Sequence, residues 1–220
     1  MIKRRQLIQS GAAVFGLLGL AKVNEAKARE LCGLTPKQTE GPFYPIQNQA
    51  DKDTDLTFVD GSGGVALGDV VLVRGVVKDQ HCVPVKGALV EIWQACATGK
   101  YNHPADPNTA ALDPNFQYWG KAVTDAAGNY QFKTIIPGAY PASEDWMRPP
   151  HIHFKIAALG YQELITQMYF FGNEFNSTDL ILLAIPESER DSVIVDFKVP
   201  QRSDRGLPVG QFDISIRKLI

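Results

Sequence analysis

The stretch VTDAAGNYQFKTIIPGAY, Val123 to Tyr140, sets the expectation for the fold. Apolar and polar residues alternate through NYQFKTI, 129–135, as in a strand with one buried face. The turn residues of TDAAGN precede this run, and a Pro-Gly pair follows it. Similar short β-rich runs lie at 69–77, 88–95, 118–124, 151–157, 163–171, 193–199 and 211–217. We therefore expect an all-β fold, an antiparallel β-sandwich with few short helices, the latter in STDLILLAI and PESERDS.

The first 28 residues have the pattern of an export signal. A basic start is followed by an apolar run too short to span a bilayer comfortably, and Ala26-Lys27-Ala28 is a small-x-small cleavage signature. Arg4-Arg5, followed by QLIQ, resembles a twin-arginine signal. An uncleaved membrane anchor is the alternative. We expect export to the periplasm or the medium, with no stable membrane anchor once the signal is cleaved.

Charge and composition limit the functions and the domain organisation that the rest of the chain can have. The 220 residues carry a formal charge of −2, and removal of 1–28 takes away five basic residues and one acidic residue, which leaves −6. Such a chain has no electrostatic reason to bind nucleic acid. Residues 29–68 are rich in Gly, Pro, Asp and Gln, which predicts an irregular N-terminal arm ahead of one β-sandwich domain at 69–220. One disulfide is compatible with three cysteines, and spacing leaves its pairing open among Cys32, Cys82 and Cys96.

Two histidines stand one residue apart in RPPHIHF, 148–154. On a strand His151 and His153 point to the same side, within reach of a single metal ion. Such pairs occur in zinc, copper and cupin-type iron sites, and also as hydrogen-bonded structural pairs. Two tyrosines lie upstream in turn-rich segments, Tyr101 in GKYNHPAD and Tyr140 in TIIPGAYP. Loops at one end of a rigid sandwich are common places for a functional site.

Five motifs follow one another between about residue 38 and residue 200: QTEGPFYP, GALVEIWQACATGKYNHPAD, LDPNFQYWGKAVTDAAGNYQFKTIIPGAYP, RPPHIHF and TQMYFFG. In this order they resemble the intradiol ring-cleavage dioxygenases, non-haem ferric enzymes that open catechols between the two hydroxyls. The resemblance implies a prealbumin-like sandwich as the catalytic domain. It also implies four metal ligands, Tyr101, Tyr140, His151 and His153, and an active-site arginine at Arg148.

Further residues are implied to contact the substrate besides Arg148. Gln167 matches a family position near the substrate, although an alternating strand could carry it as an edge polar group. Pro42, Phe43 and Tyr44 in EGPFYP look like residues of the pocket wall contributed by the N-terminal arm, and aromatic packing against the sandwich is the alternative. Ala142 stands where the protocatechuate enzymes usually have Trp, which leaves the preferred catechol open.

The chemistry of these donors favours Fe(III) as the cofactor. Tyrosine has a pKa of about 10, so tyrosinate at neutral pH needs a strong Lewis acid. Phenolate oxygens are hard donors, whereas zinc sites usually take Cys, His and carboxylates. Fe(III) with two tyrosinates and one hydroxide is neutral, which suits a partly buried pocket.

The resemblance also implies a mechanism and its partners. Tyr140 would serve as a ligand and as the base that deprotonates the catechol. Arg148 would stabilise negative charge on the ring while O2 attacks. The product would be a cis,cis-muconate that contains both atoms of O2. A homo-oligomer is compatible with the sequence.

Two other functions fit parts of the chain. A cupin-type extradiol Fe(II) dioxygenase would need a carboxylate close after the histidines, and the next acid, Glu163, is ten residues on. An exported prealbumin-like binding module would explain VTDAAGNYQFKTIIPGAY, and it would need neither Tyr101 nor RPPHIHF. Colour and metal content of the purified protein discriminate between these functions.

Overall fold

The computed structural model describes residues 32–47, 49, 51–200 and 206–219. The predicted export signal, 1–28, lies outside these residues. Within them, no helix combines the length and the apolar character that crossing a membrane requires.

Twelve β-strands and two one-turn α-helices form the regular structure of the described ranges. The strands are β1 Val70–Asp79, β2 Leu89–Trp93, β3 Trp119–Val123, β4 Asn129–Ile135, β5 Tyr140–Ser143, β6 Trp146–Arg148, β7 His151–Ala157, β8 Leu164–Phe170, β9 Ile194–Val195, β10 Phe197–Lys198, β11 Val209–Gln211 and β12 Ile214–Ile216. The helices are α1 Leu180–Leu183 and α2 Glu187–Arg190, and 3-10 turns occur at Glu174–Ser177 and Asp191–Val193.

The strands form two five-stranded sheets and a separate hairpin. In the first sheet the order is β10-β11-β1-β12, with β4 also paired to β1; in the second it is β3-β2-β7-β8-β9. The hairpin consists of β5 and β6. The predicted all-β sandwich is confirmed, and its sheets are mixed, since β11 and β12 run parallel to β1 and β9 runs parallel to β8. A long stretch of chain separates each of these three strands from its parallel partner, which is what a parallel pair requires.

The core lies between the two sheets. Val71 and Phe132 from the first sheet pack in one apolar cluster with Ile92, Ile152 and Phe154 from the second. Because side chains alternate along a strand, the neighbours of these residues on β2 and β7 point away from this core. A second, smaller apolar cluster lies on that outer face of the second sheet and contains Trp93, Ala95, Tyr101, Trp119 and Tyr140, with Phe43 and Tyr44 packed against it.

The described part of the arm, from residue 32 onward, passes both sheets before it reaches this second cluster. The backbone N–H of Thr35 donates to Ser215 O on β12, and that of Gln38 donates to Ile165 O on β8. A disulfide joins Cys32 to Cys82, which lies in the turn after β1. Cys96 is buried and is a free cysteine. The structure thus assigns the pairing that cysteine spacing left open. The division into an arm at 29–68 and a domain at 69–220 stays a prediction.

The observed strands follow most of the predicted runs. Those at 129–135 and 151–157 coincide with β4 and β7, and α1 and α2 fall in the two predicted helical stretches. The run at 193–199 is divided, because β9 pairs with the second sheet whereas β10 pairs with the first. Strands β5 and β6 lie outside every predicted run, and β11 overlaps the run at 211–217 only at Gln211.

We predict that the double variant Cys32→Ser/Cys82→Ser is less stable than the oxidised protein. The bridge closes a loop with a sequence separation of 50. For a loop of that size the loss of unfolded-state entropy corresponds to about 4 kcal/mol. Urea unfolding measures the difference. A reducing agent should shift the midpoint of the parent protein and leave that of the double variant in place; equal midpoints without reductant would contradict the prediction.

Candidate active site

A row of side chains crosses the outer face of the second sheet. The register places Trp119 opposite Trp93, Trp93 opposite His153, and His153 opposite Gln167. Directly opposed residues share a face, so these four side chains lie side by side. The ring of Trp93 stacks on that of His153 with centroids 4.7 Å apart and planes 10° apart. The sheet therefore supplies a rigid floor for the histidine.

The tautomer of His151 follows from its hydrogen bond. Its Nδ1 lies 2.7 Å from Pro149 O, a carbonyl that can only accept, so Nδ1 carries the proton. The Nε2 lone pair then faces Tyr101 Oη at 3.2 Å. The imidazole is thus held as a ligand usually is, with one nitrogen bound to the backbone and the other open to a metal.

His153 directs its own Nε2 to the same phenol oxygen, again at 3.2 Å. Its Nδ1 is buried and has no hydrogen-bond partner among the described residues. Gly41 of the arm has φ +72°, and a Cβ on it would lie 3.4 Å from His153 Cε1. The arm thus passes close over this imidazole.

Two glycines bring the tyrosine-bearing segments together. A Cβ on Gly138 would lie 2.5 Å from Ala97 O, and one on Gly99, which has φ +79°, would lie 2.5 Å from Ala139 O. Only glycine permits so close a backbone approach. The rings of Tyr101 and Tyr140 meet edge to face with centroids 5.6 Å apart. Both phenols are buried.

The four predicted ligands therefore converge. Tyr101 Oη lies within hydrogen-bond distance of both imidazoles, and the ring of Tyr140 is 5.6 Å from that of Tyr101 and 5.7 Å from that of His151. Two imidazole nitrogens and one phenol oxygen are thus brought to one buried point. No group of three or more His, Cys, Asp or Glu residues suited to a metal occurs in the described ranges. Two phenols and two imidazoles do meet here, and their oxygen and nitrogen atoms would suit a hard trivalent cation.

Comparisons with known proteins agree with this geometry. A family model described as "Dioxygenase" matches residues 39–217. The chain is 41% identical over 181 residues to the protocatechuate 3,4-dioxygenase beta chain of Burkholderia cepacia, covering 80% of this chain and 76% of that one. This chain belongs to the intradiol ring-cleavage dioxygenase family.

Two further matches support the family. Over 157 residues the chain is 31% identical to the catechol 1,2-dioxygenase of Candida albicans, covering 66% of this chain and 48% of that enzyme, so this chain spans about half of that enzyme's length. The solved dioxygenase domain of a dioxygenase and carbohydrate-binding protein fusion from Streptomyces sp. SirexAA-E superposes with a TM-score of 0.61 at 30% identity, covering 84% of this chain and 99% of that domain.

Arg148 of this dioxygenase is fixed beside Tyr140, since the two residues are opposed in the β5–β6 hairpin. Its Nε donates to Asp179 Oδ2 at 2.6 Å, and its Nη2 donates to Gln167 Oε1 at 2.7 Å. The other end of the Gln167 amide donates to Thr39 O of the arm at 2.9 Å. Arg148, Gln167 and Asp179 are all buried. Gln167, predicted to contact substrate, thus also links the arginine to the arm; its substrate role stays a prediction.

The arm residues at the site have distinct contacts. Phe43 packs on Tyr101 and Tyr140, with centroid distances of 4.8 and 6.2 Å. Tyr44 instead packs on Trp93, and its hydroxyl donates to Glu91 at 2.9 Å. Pro42 is exposed. Of these three, Phe43 is the residue in contact with the predicted ligands, and the substrate roles of Pro42 and Tyr44 stay predictions.

Sequence reasoning missed Asp179. It lay within STDLILLAI, which was expected only to hold a short helix. An acid just before an apolar helical run is a usual N-cap, and Asp179 does cap α1. That signal predicts the cap and carries no information about the arginine.

Burial sets the charge states of the metal-free site. Desolvation raises the pKa of Tyr101 well above its usual value, and the Tyr140 phenol raises it further, while Arg148 lowers it. The pKa of Tyr140 is also raised by burial and lowered by Arg148. Desolvation, reinforced by Arg148, lowers the pKa of His151 and that of His153 well below the usual range. All four donors are thus neutral near pH 7 without metal, so two tyrosinates require a bound cation.

We predict that the metal-free protein loses stability at both ends of the pH scale. In the folded chain the pKa values of the two imidazoles lie below 6.5, so the unfolded chain binds more protons once the pH drops below about 6.5. Stability then falls by up to about 1.4 kcal/mol per pH unit for each histidine. The pKa of the Tyr101 phenol is raised above 10.0 in the folded chain, so the folded chain keeps a proton that the unfolded chain loses. Stability therefore falls as the pH rises beyond that value.

Urea unfolding of the metal-free protein across pH measures both limbs. The matched variant is His151→Gln/His153→Gln, which should show a shallower loss on the acid side and an unchanged loss on the alkaline side. Parallel acid limbs in the two proteins would show that these histidines are protonated in the folded state.

Proposed function

We propose that this protein is a non-haem Fe(III) intradiol dioxygenase that uses O2 to cleave a catechol-type ring between its two hydroxyls, giving a cis,cis-muconate-type product. One observation carries the proposal: a single phenol oxygen, that of Tyr101, lies 3.2 Å from the Nε2 atoms of both His151 and His153, with Tyr140 packed beside it. The family supports the reaction class, and the names of two relatives, protocatechuate and catechol dioxygenases, support a catechol-type substrate.

The residues that would hold the iron are Tyr101, Tyr140, His151 and His153. When bound, Fe(III) supplies the Lewis acidity that keeps the phenols deprotonated and that activates a chelated catechol towards O2. The fit is chemical as well as geometric. Two imidazoles and two phenolates offer hard and intermediate donors, and two negative charges offset most of the charge of a trivalent ion in a buried pocket.

The two tyrosines differ in their surroundings. Tyr101 is tied to both imidazoles and is 3% exposed, which suits a permanent ligand. Tyr140 is 8% exposed, lies next to Arg148 in the hairpin and accepts no hydrogen bond from either histidine in the described structure. These surroundings support a role for Tyr140 as the general base, whose phenolate, once formed on the metal, would take a proton from a catechol hydroxyl.

Arg148 contributes a fixed positive charge next to that base. It lowers the pKa of Tyr140 against the effect of burial. A guanidinium held in place before the reaction stabilises negative charge as it develops on the substrate, without further reorganisation. The apolar rings of Phe43, beside Tyr101, and of Trp93, under His153, would lower the local dielectric and so strengthen this interaction.

We also propose that the protein acts after export, in the periplasm or outside the cell. The basic and apolar N-terminal sequence motivates this location, and the disulfide between Cys32 and Cys82 is typical of an oxidising compartment. Aromatic substrates would then be met outside the inner membrane.

The decisive test is oxygen uptake by iron-loaded protein with catechol, protocatechuate, hydroxyquinol and their chlorinated or methylated analogues. We expect uptake of one O2 per ring, incorporation of both atoms from isotopically labelled O2, and a muconate-type product. A yellow product would indicate extradiol cleavage, and a colourless protein that retains no iron would support a binding module. Chelation of the iron should abolish both turnover and the visible tyrosinate absorption, and His153→Ala should lower the iron content.

We predict that Tyr140→Phe retains iron through the other three residues and turns over more slowly. Loss of one general base commonly lowers kcat by about 100- to 10,000-fold. Iron analysis, visible absorption and single-turnover kinetics separate binding from proton transfer. Tyr161→Phe, at a partly buried tyrosine that follows the C-terminal end of β7 and packs against the main core, is the matched control and should leave kcat unchanged. Full turnover by Tyr140→Phe would exclude the base role.

A further inference from the structure

Asp179 is a fully buried carboxylate behind the predicted catalytic arginine. Its relative exposure is 0%. Oδ2 accepts from Arg148 Nε at 2.6 Å, while Oδ1 accepts from the backbone N–H groups of Ile181 and Leu182 at 3.1 and 2.8 Å. One oxygen is therefore held by the backbone of α1, and the other is directed at the guanidinium.

The guanidinium is restrained on three sides. Asp179 accepts a hydrogen bond from Nε, and Gln167 Oε1 accepts one from Nη2 at 2.7 Å. The centroid of the Trp146 ring lies 5.5 Å from Cζ. A free arginine side chain would lose much rotational freedom when it binds a developing charge, and fixing it in advance removes that loss from the reaction. The remaining guanidinium nitrogen, Nη1, donates to neither Asp179 Oδ2 nor Gln167 Oε1.

Asp179 also makes burial of the arginine possible. Arg148 is 4% exposed, and a buried charge without a partner is strongly unfavourable. Gln167 is neutral and cannot compensate that charge. Among the described residues, Asp179 is the acid in ion-pair contact with Arg148. Without it, the side chain would be driven towards water and away from Tyr140.

We propose that Asp179 is a positioning residue for ring cleavage, which holds the Arg148 guanidinium beside Tyr140 through the buried Nε contact. This inference rests on the proposed function, because Arg148 has a catalytic role only if a catechol-type substrate is bound next to Tyr140. Asp179 itself contacts no predicted ligand and acts through the arginine alone.

The first test uses metal-free protein and does not depend on activity. The Nε–H group of Arg148, identified by its loss in Arg148→Lys, should give an NMR signal with slow hydrogen exchange in the parent protein. Asp179→Asn should accelerate that exchange. Asp55→Asn is the matched control, since Asp55 also pairs with a cation, Lys133 at 3.0 Å, and accepts a backbone N–H; it should leave the signal unchanged. Fast exchange in the parent protein would overturn the proposal even if Asp179→Asn did not fold.

The second test is a double-mutant cycle on the iron-loaded enzyme. Asp179→Asn should keep its iron and visible absorption and lose about 10- to 100-fold in kcat, the range expected for a misplaced catalytic group. In the Arg148→Ala background the same substitution should change kcat by less than about threefold, because no guanidinium is left to position. Equal losses in both backgrounds would indicate a purely structural role and would overturn the proposal.

The outcomes separate this inference from the proposed function. If the parent protein consumes no O2 with any catechol, the proposed function fails while the exchange measurement still reports on the Asp179 contact. If the parent protein is active and the cycle is additive, the function stands and the positioning role is overturned.

Discussion

The site depends on one arrangement: two imidazole nitrogens and a phenol oxygen meet at a single buried point. His151 is fixed by its bond to Pro149 O, and His153 by its stacking on Trp93, so neither ring can turn away without a loss of contacts. Buried polar atoms are unfavourable without partners, and His153 Nδ1 has none among the described residues. The fold thus holds the four side chains together in advance, as the proposed iron site would require.

The sandwich provides this arrangement through register. Alternation along β7 sends Ile152 and Phe154 into the core and the two histidines to the outer face, so one strand serves both stability and chemistry. The tyrosines come from outside that strand and depend on the glycine-lined approach of the two segments at Gly99 and Gly138. The strand fixes half of the donor set, and backbone packing between loops fixes the other half.

Sequence reasoning predicted what is local or periodic. The all-β class, the strands at 129–135 and 151–157, and the grouping of the four predicted ligands follow from alternation, turn residues and family motifs. The β5–β6 hairpin was missed because it is short and has little alternation, and the break between β9 and β10 was missed because a change of sheet leaves no periodic signal. The pairing of Arg148 with Asp179 spans 31 positions and depends on tertiary packing, which no local pattern encodes.

The arm has a larger role than an irregular segment would indicate. Gln38 donates to Thr166 Oγ1 and accepts from the Tyr169 hydroxyl. Thr39 O accepts a hydrogen bond from Gln167 Nε2, and the Oε1 atom of the same amide accepts one from Arg148. The described arm residues thus continue the hydrogen-bond network of the arginine as well as forming the wall at Phe43. An extended segment with few ladder hydrogen bonds gains little order from its own backbone. The Cys32–Cys82 bridge and the hydrogen bonds of the buried Gln38 therefore anchor the segment that carries Phe43 to the tyrosines.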